Sequence, residues 1–342
     1  MDSFSFERLH KHLIAPGSRH RDTYLNSSVY YALTGRKGAW VYAHDETIVV
    51  TCLHPNRDHC LLVFPEIGEK RDCSLLLRVL ATVRIPQNGI QLARFSADDI
   101  HLLQQALGKK ADSPVESISV MEEPLLDWLY PVHMLDTKAV SSMQGPEFYN
   151  VRKEYNKTAD RIQSMALSDE RSARGLLAVL KYWEGSMILN EKDGIGDITN
   201  YYLTLFDLIH RRPDIFDGLI FFEGRKPVGF SIWENSLPGV ANFTANLSDI
   251  SIKGLSDYQL VSSCRRMNET GFGRLNFGGS ETEGLDFLKR KFQPAETFPI
   301  YSASIQYKNQ NDDLSISTLI PSSVRDEEWH GNTAKARERI AA

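Results

Sequence analysis

Residues 275–294 hold the densest set of side chains able to do chemistry: Asn276, the pair Gly278 and Gly279, the acids Glu281 and Glu283, then Lys289, Arg290 and Lys291 ahead of Pro294. A short apolar run that breaks into two glycines predicts a buried strand turning tightly. Glycine admits backbone angles that a side chain forbids and lets another molecule approach the main-chain amides. Leu285, Leu288 and Phe292 recur at spacings of three and four, which predicts a helix packed by that apolar face, with a cationic last turn and a stop at the proline. A turn of this kind suits a binding site, and it equally suits an ordinary capped surface helix.

The elements that must position this stretch follow from hydrophobic patterning. Residues 39–42, 47–53 and 60–64 read as an antiparallel strand meander, 74–83 as a helix on that sheet, 89–93 as the next strand, and a helix begins at Ser96 and ends at Gly108. A polar break at 109–113 precedes an aromatic strand at 127–130. Gly145 and Pro146 open a helix whose buried face is Phe148, Val151, Tyr155, Ala159 and Ile162, with Arg152, Lys153, Lys157 and Arg161 on the remainder. Helices at 174–188 and 198–209 follow, then a hairpin over 218–233, a third strand at 240–247 and a polar loop holding Lys253 and Gly254. A helix at 257–270 leads into the glycine stretch, and Tyr301 lies on a last strand. The N-terminus, with His10, His12 and His20, reads as irregular, and the stretch after about Pro321 as a charged tail.

Composition bounds the rest. The chain has 342 residues, 42% hydrophobic and 24% charged, with a formal charge of -5, which is ordinary for about two domains and gives no broad attraction to nucleic acid or anionic lipid. Cys52, Cys60, Cys73 and Cys264 form no close pair and have no histidine at zinc spacing, so a reduced, cytoplasmic setting without bound metal is expected. No run of about 18 apolar residues occurs. Serine-hydrolase elbows, Walker loops and dinucleotide fingerprints are absent.

The order of hairpin, third strand, loop, helix, strand and helix resembles the GNAT acyltransferase core. In acetyl-CoA users of that fold the loop presents backbone amides to the pyrophosphate, and residues 251–256 here do not reproduce its motif. Two blocks, 127–156 and 275–294, together resemble the domain found at the C-terminus of phosphatidylglycerol lysyltransferases and in free-standing bacterial proteins, with the resemblance spanning about 20–306. It implies tandem GNAT-like halves in an α/β chain, as in Fem-type transferases that draw amino acids from aminoacyl-tRNA. The domains are then a segment 1–20, halves 21–125 and 126–306, and a tail 307–342.

Residue by residue, Leu285 to Phe292 match the Fem pattern Leu-x-x-Phe-Lys-x-x-Phe, with Leu288 in place of the first Phe and Lys289 kept. The resemblance implies that Lys289 stabilises negative charge near the reacting ester. Glu281, Glu283 and Asp249 are candidate proton acceptors, and Tyr301 a candidate positioning group. Lys253, Gly254, Asn276, Gly278, Gly279, Arg152, Lys153 and Lys157 are candidate donor-binding residues. The expected activity is acyl transfer from aminoacyl-tRNA as co-substrate, with no other cofactor, to an amine or hydroxyl on a small molecule, peptide or lipid. Two alternatives stay open: an acyl-CoA or acyl-carrier donor on the same fold, and a GNAT-like module that only binds.

Overall fold

A computed structural model describes residues 2–3, 6–15, 25–68, 72–122, 130–168, 172–189, 195–280 and 282–308. They divide into two compact units, one built on 34–122 with 2–3 and 301–308, the other on 6–33 and 130–300. The expected aromatic strand at 127–130 lies, apart from Tyr130, outside the described residues.

The first unit contains β1 (Asp2–Ser3), β2 (Ala39–His44), β3 (Thr47–Leu53), β4 (Leu61–Val63), α3 (Ser74–Thr82), β5 (Ile90–Phe95), α4 (Ala97–Gly108), β6 (Val115–Val120) and β14 (Tyr301–Tyr307). Its sheet runs β1-β2-β3-β4-β5-β14-β6. Ser96 starts α4 with a reciprocal capping box to Asp99, as its Ser-x-x-Asp sequence predicts. One sheet face and helices α3 and α4 enclose Val49, Val63, Leu76, Leu80, Leu92, Ile100 and Leu103.

The second unit contains α1 (Phe6–Ile14), α2 (Ser28–Thr34, whose last residue falls to the first unit), β7 (Val132–Asp136), α5 (Thr137–Ser142), α6 (Tyr149–Asn156), β8 (Ile162–Ala166), α7 (Ser172–Leu189) and α8 (Ile195–Arg211). It continues with β9 (Phe216–Glu223), β10 (Lys226–Leu237), β11 (Val240–Ser248), α9 (Leu255–Glu269), β12 (Arg274–Asn276), α10 (Glu283–Arg290) and β13 (Glu296–Phe298). Read from its β8 edge, the sheet runs β8-β9-β10-β11-β12-β7-β13.

The two sheets repeat one plan. In each, three antiparallel pairings lead to a parallel pair, β4 with β5 and β11 with β12, joined through a helix. An antiparallel strand and a last antiparallel edge strand follow. The fold is therefore α/β with tandem GNAT-like sheets flanked by helices. The sixth strand of each sheet comes from outside its contiguous stretch, since β7 follows β6 in the chain and β14 follows β13.

Three expectations are corrected. The N-terminus is not irregular: 6–14 is a helix burying Phe6, Leu9 and Leu13, a spacing of three and four that marks an amphipathic helix. The helix opened by Pro146 stops at Asn156, and Ile162 does not continue its face but starts strand β8, where it pairs with Glu223. The strand that flanks β12 is β7, in the stretch between 130 and Gly145 to which the sequence pattern assigns no element.

In the second unit alternate strand residues Leu219, Phe221, Trp233, Ala241 and Leu275 pack against Leu260, Val261, Cys264 and Met267 of α9. On the other face Phe230 meets Tyr202 and Phe206 of α8 edge-on.

Ala303 tests the strand donated to the first sheet, since it is fully buried and pairs with both Leu92 and Val120. Ala303→Pro deletes a ladder N–H in a central strand and is expected to cost about 3 kcal/mol or more. Denaturant titration followed by circular dichroism reads that loss, and an unchanged midpoint would contradict the pairing.

Candidate functional site

β12 ends at Asn276, and a two-amide relay organises the turn beyond it. The buried Asn276 side chain accepts from Gly278 N at 3.1 Å and donates through Nδ2 to Asn242 Oδ1 at 2.9 Å. Gly278 sits at φ 73, where an L side chain is strained. The turn's far side is β7: Phe277 N donates to the His133 carbonyl at 2.8 Å and His133 N to the Gly278 carbonyl at 3.2 Å.

Helix α10 returns onto this turn. Thr282 caps it by accepting from Leu285 N. Its buried residues are Asp286 and Lys289, while Leu285 and Leu288 are half-buried and Phe287 is 69% exposed. The expected Leu285 and Leu288 face is thus only half-buried, and the fully buried pair on the helix is charged. The reason is the partner surface. His133 Nε2 lies 2.7 Å from Asp286 Oδ1, Arg290 Nε lies 2.7 Å from Asp286 Oδ2, and Lys289 Nζ donates to the Gly279 carbonyl. The Lys289 ammonium also stands 5.4 Å from the Phe277 ring centre, a favourable cation–π distance. Past the helix, Phe292 enters the core against Phe277, which in turn packs on Phe243.

The parallel ladder between β11 and β12 is three residues long, closing at Asn242 with Asn276. β11 continues to Ser248 with no strand paired on that side among the described residues. Its other edge is bulged, because Ile232 pairs with Ala245 and Trp233 with Phe243, leaving Thr244 extra. The strands therefore part where the glycine turn begins.

A second group of candidates lies at the start of α9. Gly254 has φ 84, and a Cβ there would overlap the Glu154 carbonyl oxygen at the end of α6. Lys291 pairs with the buried Asp257 at 2.5 Å; burial pushes that carboxyl up, against the opposing pull of Lys291. Lys157 pairs with Glu154 at 2.5 Å. Asp249 accepts from Ser251 N at 3.0 Å and Ser251 Oγ at 2.6 Å, and its other oxygen meets Lys226 at 3.0 Å. Burial works to raise the Asp249 carboxyl, but these bonds outweigh it and hold it below the ordinary range. The groups around the α9 start are thus acids and carbonyls with partners of their own.

The remaining candidates are dispersed. Arg152 donates to the Met143 and Gly145 carbonyls, and Lys153 and Lys253 are exposed. Glu283 is exposed in the first turn of α10. Tyr301 pairs with Phe95 in the first unit. Glu281 lies outside the described residues. The structure brings together Asn276, Gly278, Gly279 and Lys289, and adds Asn242, His133 and Asp286, which sequence reasoning missed. Spacing alone carries no signal for Asn242, because its partner is 34 residues away.

No family model and no curated protein matches the chain. Solved structures do. A conserved protein of unknown function from Bacteroides thetaiotaomicron is similar with a TM-score of 0.67 and 14% identity, covering 89% of this chain and 99% of that one. The DUF2156 C-terminal domain of a protein described as a lysylphosphatidylglycerol synthetase from Agrobacterium fabrum gives 0.58 and 13%, covering 88% and 92%. FemX gives 0.57 and 11%, covering 91% and 98%. These likenesses establish a shared fold, in line with the relationships expected from the sequence blocks. No helix among the described residues is long and apolar enough to cross a membrane.

Gly254→Ala sets a side chain against backbone at positive φ and is expected to cost about 2 kcal/mol, read as a lowered thermal midpoint. The Asp249 carboxyl is held below its unfolded value, so its contribution is present above about pH 4 and is lost as pH falls through the folded value. Asp249→Asn is expected to flatten that part of the acid limb in stability measured against pH, and an unchanged limb would contradict the assignment.

Proposed function

We propose that the second unit carries an acyltransferase site that takes an aminoacyl group from aminoacyl-tRNA and passes it to an amine or hydroxyl acceptor. The observation that carries this reading is the Gly278–Gly279 turn, backed by the buried Lys289 ammonium, at the point where β11 and β12 part. The sequence resemblance to Fem-type and lysyltransferase domains supplies the donor class, and the shared fold with FemX and the DUF2156 domain is consistent with it.

An aminoacyl ester is already activated, so the protein needs chiefly to align the partners and stabilise charge. The acceptor nitrogen or oxygen forms a bond to the carbonyl carbon, giving a tetrahedral intermediate. The ester C–O bond then breaks, the leaving ribose oxygen keeps the electron pair, and the proton lost by the acceptor ends on it. Lys289 supports the turn through Gly279 and places a cation beside the developing charge.

The arrangement at α9 favours this donor over acyl-CoA. A pyrophosphate at a helix N-terminus needs free amides and positive potential, whereas here Asp249 takes the Ser251 amide, Asp257 is buried in the first turn, and the Glu154 carbonyl lies on Gly254. Lys153, exposed on α6, and Lys157, exposed just past its end and paired with Glu154, face a phosphate backbone in this reading.

The test is to incubate the purified chain with a pool of charged tRNAs and, separately, with acyl-CoAs, following loss of each donor. Charged tRNA is expected to be consumed in the presence of an amine, and Lys289→Ala to slow this roughly 100-fold. Consumption of acyl-CoA alone would replace the donor assignment, and stability of every donor would leave a binding module.

A further inference from the structure

We infer that Asn242 is a catalytic residue of this site, donating its side-chain amide to the carbonyl oxygen of the acyl group and to the oxyanion formed from it. The inference rests on the acyl-transfer reading above.

Glu234, Asn242 and Asn276 stand in one transverse row, since Glu234 pairs with Asn242 across β10 and β11, and Asn242 with Asn276 across β11 and β12. Directly paired residues share a sheet face. All three are buried, at 0%, 3% and 5% exposure.

The direction of the Asn242 amide is set by backbone. Side-chain amide oxygen and nitrogen are ordinarily interchangeable by a flip. Here Gly278 N can only donate, so the Asn276 atom facing it is the oxygen. Asn276 Nδ2 then faces Asn242, whose accepting atom must be its own oxygen. That leaves Asn242 Nδ2 at the free end of the relay. It is sealed from solvent and has no hydrogen-bond acceptor among the described residues.

The adjacent Glu234 is no substitute acceptor. Its carboxylate already receives Ser27 Oγ at 2.6 Å, Ser28 Oγ at 2.5 Å, Ser28 N at 3.1 Å and Val29 N at 3.4 Å, which fills the lone-pair positions of a carboxylate. A buried donor without a partner is costly and uncommon. This one lies on the last rung before β11 and β12 part, beside the turn that Lys289 supports.

The chemical class of its partner follows. A buried N–H donor calls for an oxygen acceptor, and in acyl transfer the oxygen that gains charge is the acyl carbonyl. During the step described above, the C=O π pair moves onto that oxygen as the acceptor bond forms, and returns as the ester bond breaks. A donor oriented in advance, as the Gly278 to Asn276 to Asn242 relay orients this one, needs no reorganisation at that moment.

The experiment uses the full chain with charged tRNA and hydroxylamine as the amine, reading hydroxamate above the enzyme-free rate. Asn242→Ala is expected to lower the rate at saturating charged tRNA roughly 100-fold while the half-saturating concentration changes less than about threefold. Asn242→Ser, which keeps a hydroxyl able to accept from Asn276 and donate onward, is expected to recover part of the loss and still run at least about fivefold below wild type. A purely structural role would instead lower the thermal midpoint and leave the rate of the folded fraction unchanged. Wild-type rates in folded Asn242→Ala overturn the inference with the acyl-transfer reading intact. Should Asn242→Ala not fold, a wild-type rate in Asn242→Ser overturns it. Failure of the wild-type chain to consume any charged tRNA or acyl-CoA overturns the reading itself, and the assignment of Asn242 with it.

Discussion

The three-residue parallel ladder between β11 and β12 is the constraint on which the second unit turns. Parallel neighbours share a hydrogen-bonded edge only while their directions agree, and here agreement ends at Asn242 and Asn276. The candidate site gathers at that rung and beyond it. Gly278 can leave at positive φ, β7 takes up the main chain of the turn through His133, and α10 brings Lys289 back to the Gly279 carbonyl. Had the ladder run on, Gly278 would be an ordinary strand residue and its amide would be spent on main-chain pairing rather than on Asn276.

Charge burial in this region follows one rule: each buried ion has a partner. Asp286 is shared by His133 and Arg290, Asp257 by Lys291, and Asp249 by Ser251 and Lys226. Asn242 Nδ2, like His133 Nδ1 and Ser280 Oγ at the same turn, has no hydrogen-bond partner among the described residues. The first unit offers a contrast at the equivalent helix. There Glu66 turns its carboxylate onto Cys73 N at 3.0 Å and Leu76 N at 2.7 Å, so the α3 N-terminus is capped by the protein's own acid. Burial pushes the Glu66 carboxyl up, and those backbone bonds oppose the shift.

Much of the fold was legible because it rests on local pattern. The hairpin of β9 and β10, the third strand, α9 and α10 follow from alternation, three-to-four spacing and glycine or proline stops. The errors have physical causes. Ile162 fits helical spacing from Val151 only if the helix continues, and pairing with β9 wins instead. The helix Phe6–Ile14 gives a weak local signal because its few apolar residues are separated by charges, although Phe6, Leu9 and Leu13 mark one face. β7 was unreadable for a different reason: its neighbours in the sheet are β12 and β13, far along the chain.

The sequence by itself determined the α/β class, the order of elements by which the second half resembles the GNAT core, and the glycine turn followed by a helix carrying Lys289. These depend on residues within a few positions of one another, where backbone freedom and periodicity act directly. Only the tertiary structure decided that α10 buries Asp286 and Lys289, that Gly254 answers to the backbone of α6, and that Asn242 is oriented through Asn276 by the Gly278 amide. Those outcomes are set by which strands become neighbours, and pairing across 34 residues from Asn242 to Asn276, or 153 from His133 to Asp286, leaves no mark in local spacing.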